Sequence, residues 1–342
     1  MGHDERKQRI GVLGAGSWGT ALALSLELNG HHVTLWEFRP DAARKLTDSR
    51  ENTEFLPGPH IPETIGITDD LEQACRDMDI IVFAVPSHVV RSVAEKVEKI
   101  TLKKDVILVN VAKGIENNTF MRMSEVLLQT IPAMGPSNIV TLSGPSHAEE
   151  VSRNIPTAIV AASSVQQSAE LIQRTFMNQF LRVYTNDDLT GVELGGALKN
   201  VIAIAAGICD GAGFGDNTKA ALQPRGLAEM ARLGVAMGGK AITFAGLSGM
   251  GDLIVTCMSR HSRNRHVGDQ IGQGKKLQTI LDEMVMVAEG VKTTRSAYEL
   301  SRRQKVEMPI TQKVYEMLFE DKDAKEALAE LMGRDPKAED LG

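Results

Sequence analysis

The chain has 342 residues, of which 42% are hydrophobic and 24% charged, and a formal net charge of −6; this composition is ordinary for globular proteins and long enough for about two domains. The acidic balance excludes general attraction to nucleic acid or to an anionic membrane, so an anionic ligand must be held by a local basic cluster. Cys75, Cys209 and Cys257 are widely spaced, odd in number and without a CxxC pair, which suits reduced thiols and argues against a disulfide framework or a zinc site.

The polar start MGHDERKQR runs straight into an apolar strand, leaving no room for the apolar segment of a signal peptide. That strand, in IGVLGAGSWG, leads into Gly14-x-Gly16-x-x-Gly19 and then the helical pattern ALALSLELNG. The first glycine permits a tight turn, the second lets the backbone approach a pyrophosphate, and the third allows close helix packing. The free N–H groups of the helix start face the anion. A second strand, HHVTLWE, follows at the spacing of a dinucleotide-binding unit and ends in Glu37-Phe38-Arg39. An acidic residue there suits the ribose 2′-hydroxyl of NAD and an arginine suits the 2′-phosphate of NADP, and the sequence leaves both open.

Strands and helical stretches go on alternating through DIIVFAVPS, DVILVNVAKG and NIVTLSGPS, which predicts an α/β, Rossmann-type doubly wound parallel sheet over residues 1–189. In such a sheet the loops after the strand ends gather at one mouth. Lys113, in Ala112-Lys113-Gly114 at one strand end, reads either as a ligand contact or as a solvated loop lysine. His147 lies in the SGPSHAEE loop near the same mouth, where packing beside the site is the simpler role. None of the histidines shows metal-ligand spacing, so no metal is expected.

From about residue 190 to 335 long helical segments alternate with glycine-containing loops, predicting an all-α second domain, with residues 336–342 as a polar tail. The run GVELGGALKNVIAIAAGI should be a buried helix, which makes Lys199 anomalous, because an unpaired buried ammonium either pairs or gives up its proton. Lys199, Asn200 and Asp210 also break the run as a membrane span. In GLSGMGDLIVTC, Asp252 suits a helix N-cap or a ligand carboxylate, and the cap is the simpler role. The segment SRHSRNRHVGD places Arg260, His261, Arg263, Arg265 and His266 at a helix start. It reads either as the basic cluster sought above, suited to a phosphate, or as a solvated surface run.

Taken together, the blocks GAGSWGTALA, VPSHV, AKGIE, SGPSHAEEV, GVELGGALKNVIAIAAG, RGLAEMARLG, GLSGMGDLIVTC, SRNR and VAEGVKTT resemble the bacterial-type NAD(P)-dependent sn-glycerol-3-phosphate dehydrogenases over nearly the whole chain. The resemblance implies reversible reduction of dihydroxyacetone phosphate to sn-glycerol 3-phosphate for phospholipid synthesis, in a cytoplasmic homodimer with no membrane insertion and no nucleic-acid partner. It makes Lys199 the proton donor or acceptor, and Asp252 or Glu193 is expected to help orient and tune it. Lys113, Gly144, Ser146, Lys199, Asp252, Ser262, Arg263 and Asn264 become substrate contacts. Cofactor contacts are the three fingerprint glycines with Ser17, Trp18, Phe38, Arg39, Lys113, Ala148, Arg263, Val287 and Glu289. Each domain would supply half of the site, and Gly195 and Gly196 would admit the cofactor or the facing domain. Gln223-Pro224 departs from the family pattern, and the proline is expected to bend or interrupt its helix.

Overall fold

A computed structural model of the chain describes residues 7–284, 286–336 and 338–339. Residues 1–6, Lys337 and 340–342, and with them most of the expected leader-free start and part of the expected polar tail, lie outside the described residues. The chain divides into two units: up to Ala112 with Met123–Leu189, and Lys113–Arg122 with the chain from Thr190 onward. The segment Lys113–Arg122 was expected in the first domain and groups with the second. Its Ile115 and Phe120 are buried in the same apolar cluster as the Leu189–Gly211 helix, and its Arg122 pairs with Glu193 at 2.7 Å. Two apolar side chains and a buried ion pair therefore decide where these ten residues belong.

The first unit is built on β1 (Arg9–Leu13), β2 (His32–Trp36), β3 (Glu51–Asn52), β4 (Leu56–His60), β5 (Gly66–Thr68), β6 (Ile80–Phe83), β7 (Ile107–Asn110), β8 (Ile139–Ser143), β9 (Thr157–Ala162) and β10 (Leu181–Asn186). The main sheet has the order β10-β9-β8-β7-β6-β1-β2-β5, and β3 with β4 forms a separate ribbon. All neighbours in the main sheet are parallel except β8 and β9, which are antiparallel. Between those two strands the chain forms only the one-turn Ala148–Val151 helix, too short to carry it back along the sheet for another parallel crossover. The alternation rule did not foresee β3, β4 and β5 between HHVTLWE and DIIVFAVPS, or β9 and β10 beyond NIVTLSGPS. The interior strands β6, β7 and β8 are buried along their full length, as expected of strands covered by helices on both faces. Strand order reverses between β1 and β6, so the loops after them frame the crevice characteristic of an open parallel sheet.

The second unit is helical: Leu189–Gly211, Gly215–Ala236, Ala241–Phe244, a π-helical turn Leu247–Gly251 running into Asp252–Met258, then Arg263–Gly272, Leu277–Glu283, Glu289–Arg303, Pro309–Phe319 and Ala324–Met332. The Leu189–Gly211 helix is long and apolar enough to cross a membrane, with a mean hydropathy of 1.5, contrary to the expectation that its polar residues break the run. Its whole 18-residue window is buried inside the protein, which marks it as a core helix. The Ala241–Met258 stretch passes the same test of length and apolarity and is 44% buried.

Pro224 does not break its helix, which is continuous from Gly215 to Ala236. Proline lacks the N–H that would bond the carbonyl of Ala220, and both residues are exposed, so that carbonyl is on the solvent side and not left in the core. Further along the same helix the buried Glu229 accepts bonds from the backbone N–H groups of Ile310 (2.6 Å) and Thr311 (3.1 Å) and from the Thr311 hydroxyl (3.0 Å). It thereby caps the start of the Pro309–Phe319 helix in place of a local residue. Burial pushes its carboxyl up to about 7 against those bonds.

Candidate active site

In the first unit the β1 loop makes the expected turn. Gly14 has φ +114°, a conformation that L side chains rarely adopt, and a Cβ there would stand 2.9 Å from the carbonyl oxygen of Ala84. At Gly19 a Cβ would meet the Gly14 carbonyl oxygen at 1.9 Å, so this glycine is what lets the Ser17–Leu28 helix start against the strand. Beside Gly16 a Cβ would meet nothing within 4 Å. Gly16 is also the N-cap, with no side-chain cap bond and no acidic residue in the first turn. Open space in front of uncapped N–H groups is the cradle that a pyrophosphate requires, so the residues fit a dinucleotide.

Trp18 packs against a small buried cluster of Ala21, Leu56, Ala148 and Val151, which joins two of the expected cofactor residues. Gly144 has φ +137°, and its carbonyl accepts a bond from the Ser146 hydroxyl at 2.9 Å, shaping the turn after β8. At the end of β2, Glu37 is 3% exposed and Phe38 66% exposed. The Glu37 carboxylate accepts from the Arg39 backbone N–H (3.1 Å) and Nε (2.9 Å). These two residues are thus committed to each other, where the sequence had set them as alternatives.

The second unit holds a compact charge cluster. Lys199 is 6% exposed, and its Nζ lies 3.1 Å from Asp252 Oδ1 and donates to Thr256 Oγ1 at 2.7 Å. The other oxygen of Asp252 accepts from Lys113 Nζ at 2.7 Å, so one carboxylate bridges two ammonium groups. Burial lowers the Lys199 pKa to about 8; Asp252 opposes this and Lys113 adds to it. Burial disfavours the Asp252 anion, yet the two lysines outweigh it and hold the carboxyl below its ordinary range.

Asp252 is not an N-cap: the cap position is Gly251, and the carboxylate turns inward because two cations offer more than uncapped N–H groups. Of the two carboxylates expected to orient Lys199, Asp252 lies against its Nζ, and Glu193 pairs with Arg122 at 2.7 Å. The close approach at Gly195 is made within this unit, where a Cβ would lie 2.8 Å from the carbonyl oxygen of Ser248 in the π-helical turn.

Ser262 caps the Arg263–Gly272 helix by accepting from the Arg265 N–H at 3.2 Å. Arg263 is exposed at that helix start and donates to the carbonyl of Val287 at 3.1 Å. Arg265 is bound to Asp210 at 2.6 Å, which takes it out of the expected basic cluster. Asn264 donates to Asn200 Oδ1 (2.9 Å) and accepts from Gly290 N–H (2.8 Å), while Asn200 donates to the carbonyl of Lys113 (3.1 Å). This chain of amides fixes the lysine loop against two helices and ends beside Glu289, the first residue of the Glu289–Arg303 helix. Sequence reasoning missed Asn200 and Thr256. Asn200 is visible as a second polar residue in the apolar run, whereas nothing marks Thr256 except its place one helical turn after Asp252. Among the described residues no group of three or more His, Cys, Asp or Glu side chains is arranged to hold a metal.

Family models described as the N-terminus and the C-terminus of NAD-dependent glycerol-3-phosphate dehydrogenase match residues 9–169 and 188–329. The chain belongs to this family. It is 54% identical over 331 residues to a glycerol-3-phosphate dehydrogenase [NAD(P)+] of Chlorobium phaeobacteroides, covering 97% of this chain and 99% of that one. It is 53% identical to the Thermoanaerobacter enzyme of the same name, covering 97% and 98%. The crystal structure of glycerol-3-phosphate dehydrogenase from Coxiella burnetii superposes with a TM-score of 0.91 at 37% identity, covering 96% of this chain and 99% of that one. The Plasmodium falciparum glycerol-3-phosphate dehydrogenase shares the fold, with a TM-score of 0.86 at 22% identity and coverage of 97% and 96%. The protein is thus an NAD(P)-dependent glycerol-3-phosphate dehydrogenase, an oxidoreductase that interconverts dihydroxyacetone phosphate and sn-glycerol 3-phosphate.

Proposed function

We propose that Lys199 delivers the proton in this reaction, donating to the carbonyl oxygen of dihydroxyacetone phosphate during reduction and accepting from the secondary hydroxyl of sn-glycerol 3-phosphate during oxidation. The observation that carries this reading is the buried ammonium with a pKa lowered to about 8, which lets it exchange a proton near neutrality. Asp252 and Thr256 engage two of its N–H groups among the described residues, which leaves the third for the substrate oxygen. The nicotinamide, when bound, supplies or accepts the hydride.

Asp252 is assigned a positioning role, since its two oxygens are occupied by Lys199 and Lys113. Lys113 adds positive charge beside the substrate oxygen as that oxygen becomes negative. Arg263, exposed at the start of the helix that Ser262 caps, suits the substrate phosphate. Buried thiols support the reading of a reducing, cytoplasmic setting in which the product feeds phospholipid synthesis: burial pushes Cys75 and Cys257 up to about 12 and Cys209 up to about 11. A homodimer belongs to the same reading, and sedimentation velocity tests it.

The deciding experiment follows nicotinamide absorbance with dihydroxyacetone phosphate in the wild type and in Lys199→Ala. Turnover should fall by about a thousandfold or more, the scale of a lost general acid, while the dissociation constant of the nucleotide stays unchanged. Turnover within about tenfold of wild type would remove Lys199 from the proton-transfer role.

A further inference from the structure

Phe38, Arg39 and Glu54 line a cleft of about 450 Å³ in the first unit together with Ala15, Glu37 and Phe55. The Arg39 guanidinium is gripped from two sides. Its Nε bonds Glu37 at 2.9 Å, and its two terminal nitrogens bond the two oxygens of Glu54 at 3.2 Å each. It also lies over the rings of Phe38 and Phe55, at 5.7 and 5.5 Å from their centroids.

The two carboxylates differ in what they can do. Glu37 is buried and fastened to the backbone of Arg39 as well as to its side chain. Glu54 sits in the turn of the β3–β4 ribbon with its side chain 44% exposed, so its bond to Arg39 is held weakly and can open into water. The ribbon itself is pinned, because Asn52 donates to the carbonyl of Ala15 and to the Thr20 hydroxyl at 2.8 Å each, next to the phosphate loop. Glu54 is therefore placed at a fixed point beside the loop that fits the dinucleotide.

We infer that Glu54 is a specificity-determining residue for the nucleotide: it occupies the terminal N–H edge of Arg39 that a 2′-phosphate requires, and so lowers affinity for NADP(H) while leaving NAD(H) untouched. A 2′-phosphate is a dianion that binds arginine best through two parallel N–H bonds, and Glu54 already occupies that fork. For the phosphate to bind, Glu54 must swing out of that fork. A 2′-hydroxyl makes no such demand, and the Arg39–Glu54 pair stays closed. The inference rests on placing the adenosine end of the cofactor at Phe38 and Arg39.

Calorimetric titration with 2′,5′-ADP and 5′-AMP, which carry the two kinds of adenosine end, tests this in the wild type, Glu54→Gln, Arg39→Ala and the double variant. Glu54→Gln should tighten 2′,5′-ADP by about fivefold, the scale of an exposed ion pair no longer competing, and leave 5′-AMP within about twofold; KM for NADPH should fall in parallel. Arg39→Ala should weaken 2′,5′-ADP by about tenfold or more and abolish the effect of the Glu54 change in the double variant. Glu54→Gln with no effect, with an equal effect on both nucleotides, or with its full effect in the absence of Arg39 would overturn the inference. Arg39→Ala with no effect on 2′,5′-ADP would instead overturn the adenosine placement on which it rests.

Discussion

At Lys199 two opposing effects set the affinity for a proton. Burial removes water from the ammonium and lowers its pKa from an ordinary 10.5 to about 8, while Asp252 keeps it from falling further. In the proposed role of Lys199, reduction of the ketone uses the ammonium and oxidation of the alcohol uses the amine, so the two directions should show mirror-image pH limbs. We expect kcat/KM for reduction to fall above about pH 8 and that for oxidation to rise through the same pH. Initial rates across pH 6 to 10 check this, and parallel limbs in the two directions would contradict it. The same shift acts on stability in a defined sense. Between about 8 and 10.5 the folded protein binds fewer protons than the unfolded chain, so this residue's contribution to stability rises with pH through that window.

Helix packing holds the cluster in register. The Leu189–Gly211 and Arg263–Gly272 helices meet through glycines on both sides: a Cβ at Gly207 would stand 2.0 Å from the carbonyl oxygen of Arg265, and one at Gly268 would stand 2.0 Å from that of Ile204. The first of these helices carries Lys199 and Asn200 and the second carries Asn264, so their separation sets the Asn200–Asn264 bond. Backbone cannot move aside as a flexible side chain can. Gly207→Ala should destabilise the protein by about 2 kcal/mol through overpacking and lower kcat with little change in nucleotide affinity. Urea unfolding and steady-state kinetics read the two effects, and an unchanged midpoint would show that the helices separate freely. The Gly215–Ala236 helix shows the opposite tolerance, since Pro224 faces solvent and the helix runs through it.

Across the whole molecule each unit carries an apolar core of its own, one around the sheet and one around the Leu189–Gly211 helix. The three cysteines are distributed between them, Cys75 in the first and Cys209 and Cys257 in the second, all buried. Burial raises their pKa values to about 11 or 12, so at neutral pH they are both inaccessible and protonated. A thiol-specific reagent should leave the native protein essentially unlabelled and should modify all three cysteines in denaturant. Rapid labelling of any of them in the native state would show that its core opens.

Local spacing determined a good deal of this protein. The glycine fingerprint, the strands β1, β2, β6, β7 and β8 alternating with helices, the helical second half and the anomaly of a lysine in an apolar run all follow from short-range pattern, because backbone sterics and burial periodicity act within a few residues of chain. Only tertiary structure decided the partners. Nothing near Lys113 in sequence announces that it shares Asp252 with Lys199, that residues 113–122 join the helical unit, or that Glu54 closes over Arg39. Electrostatic pairing and burial act through space, so the charge that tunes a residue can be supplied by any segment that folding brings within a few ångströms of it.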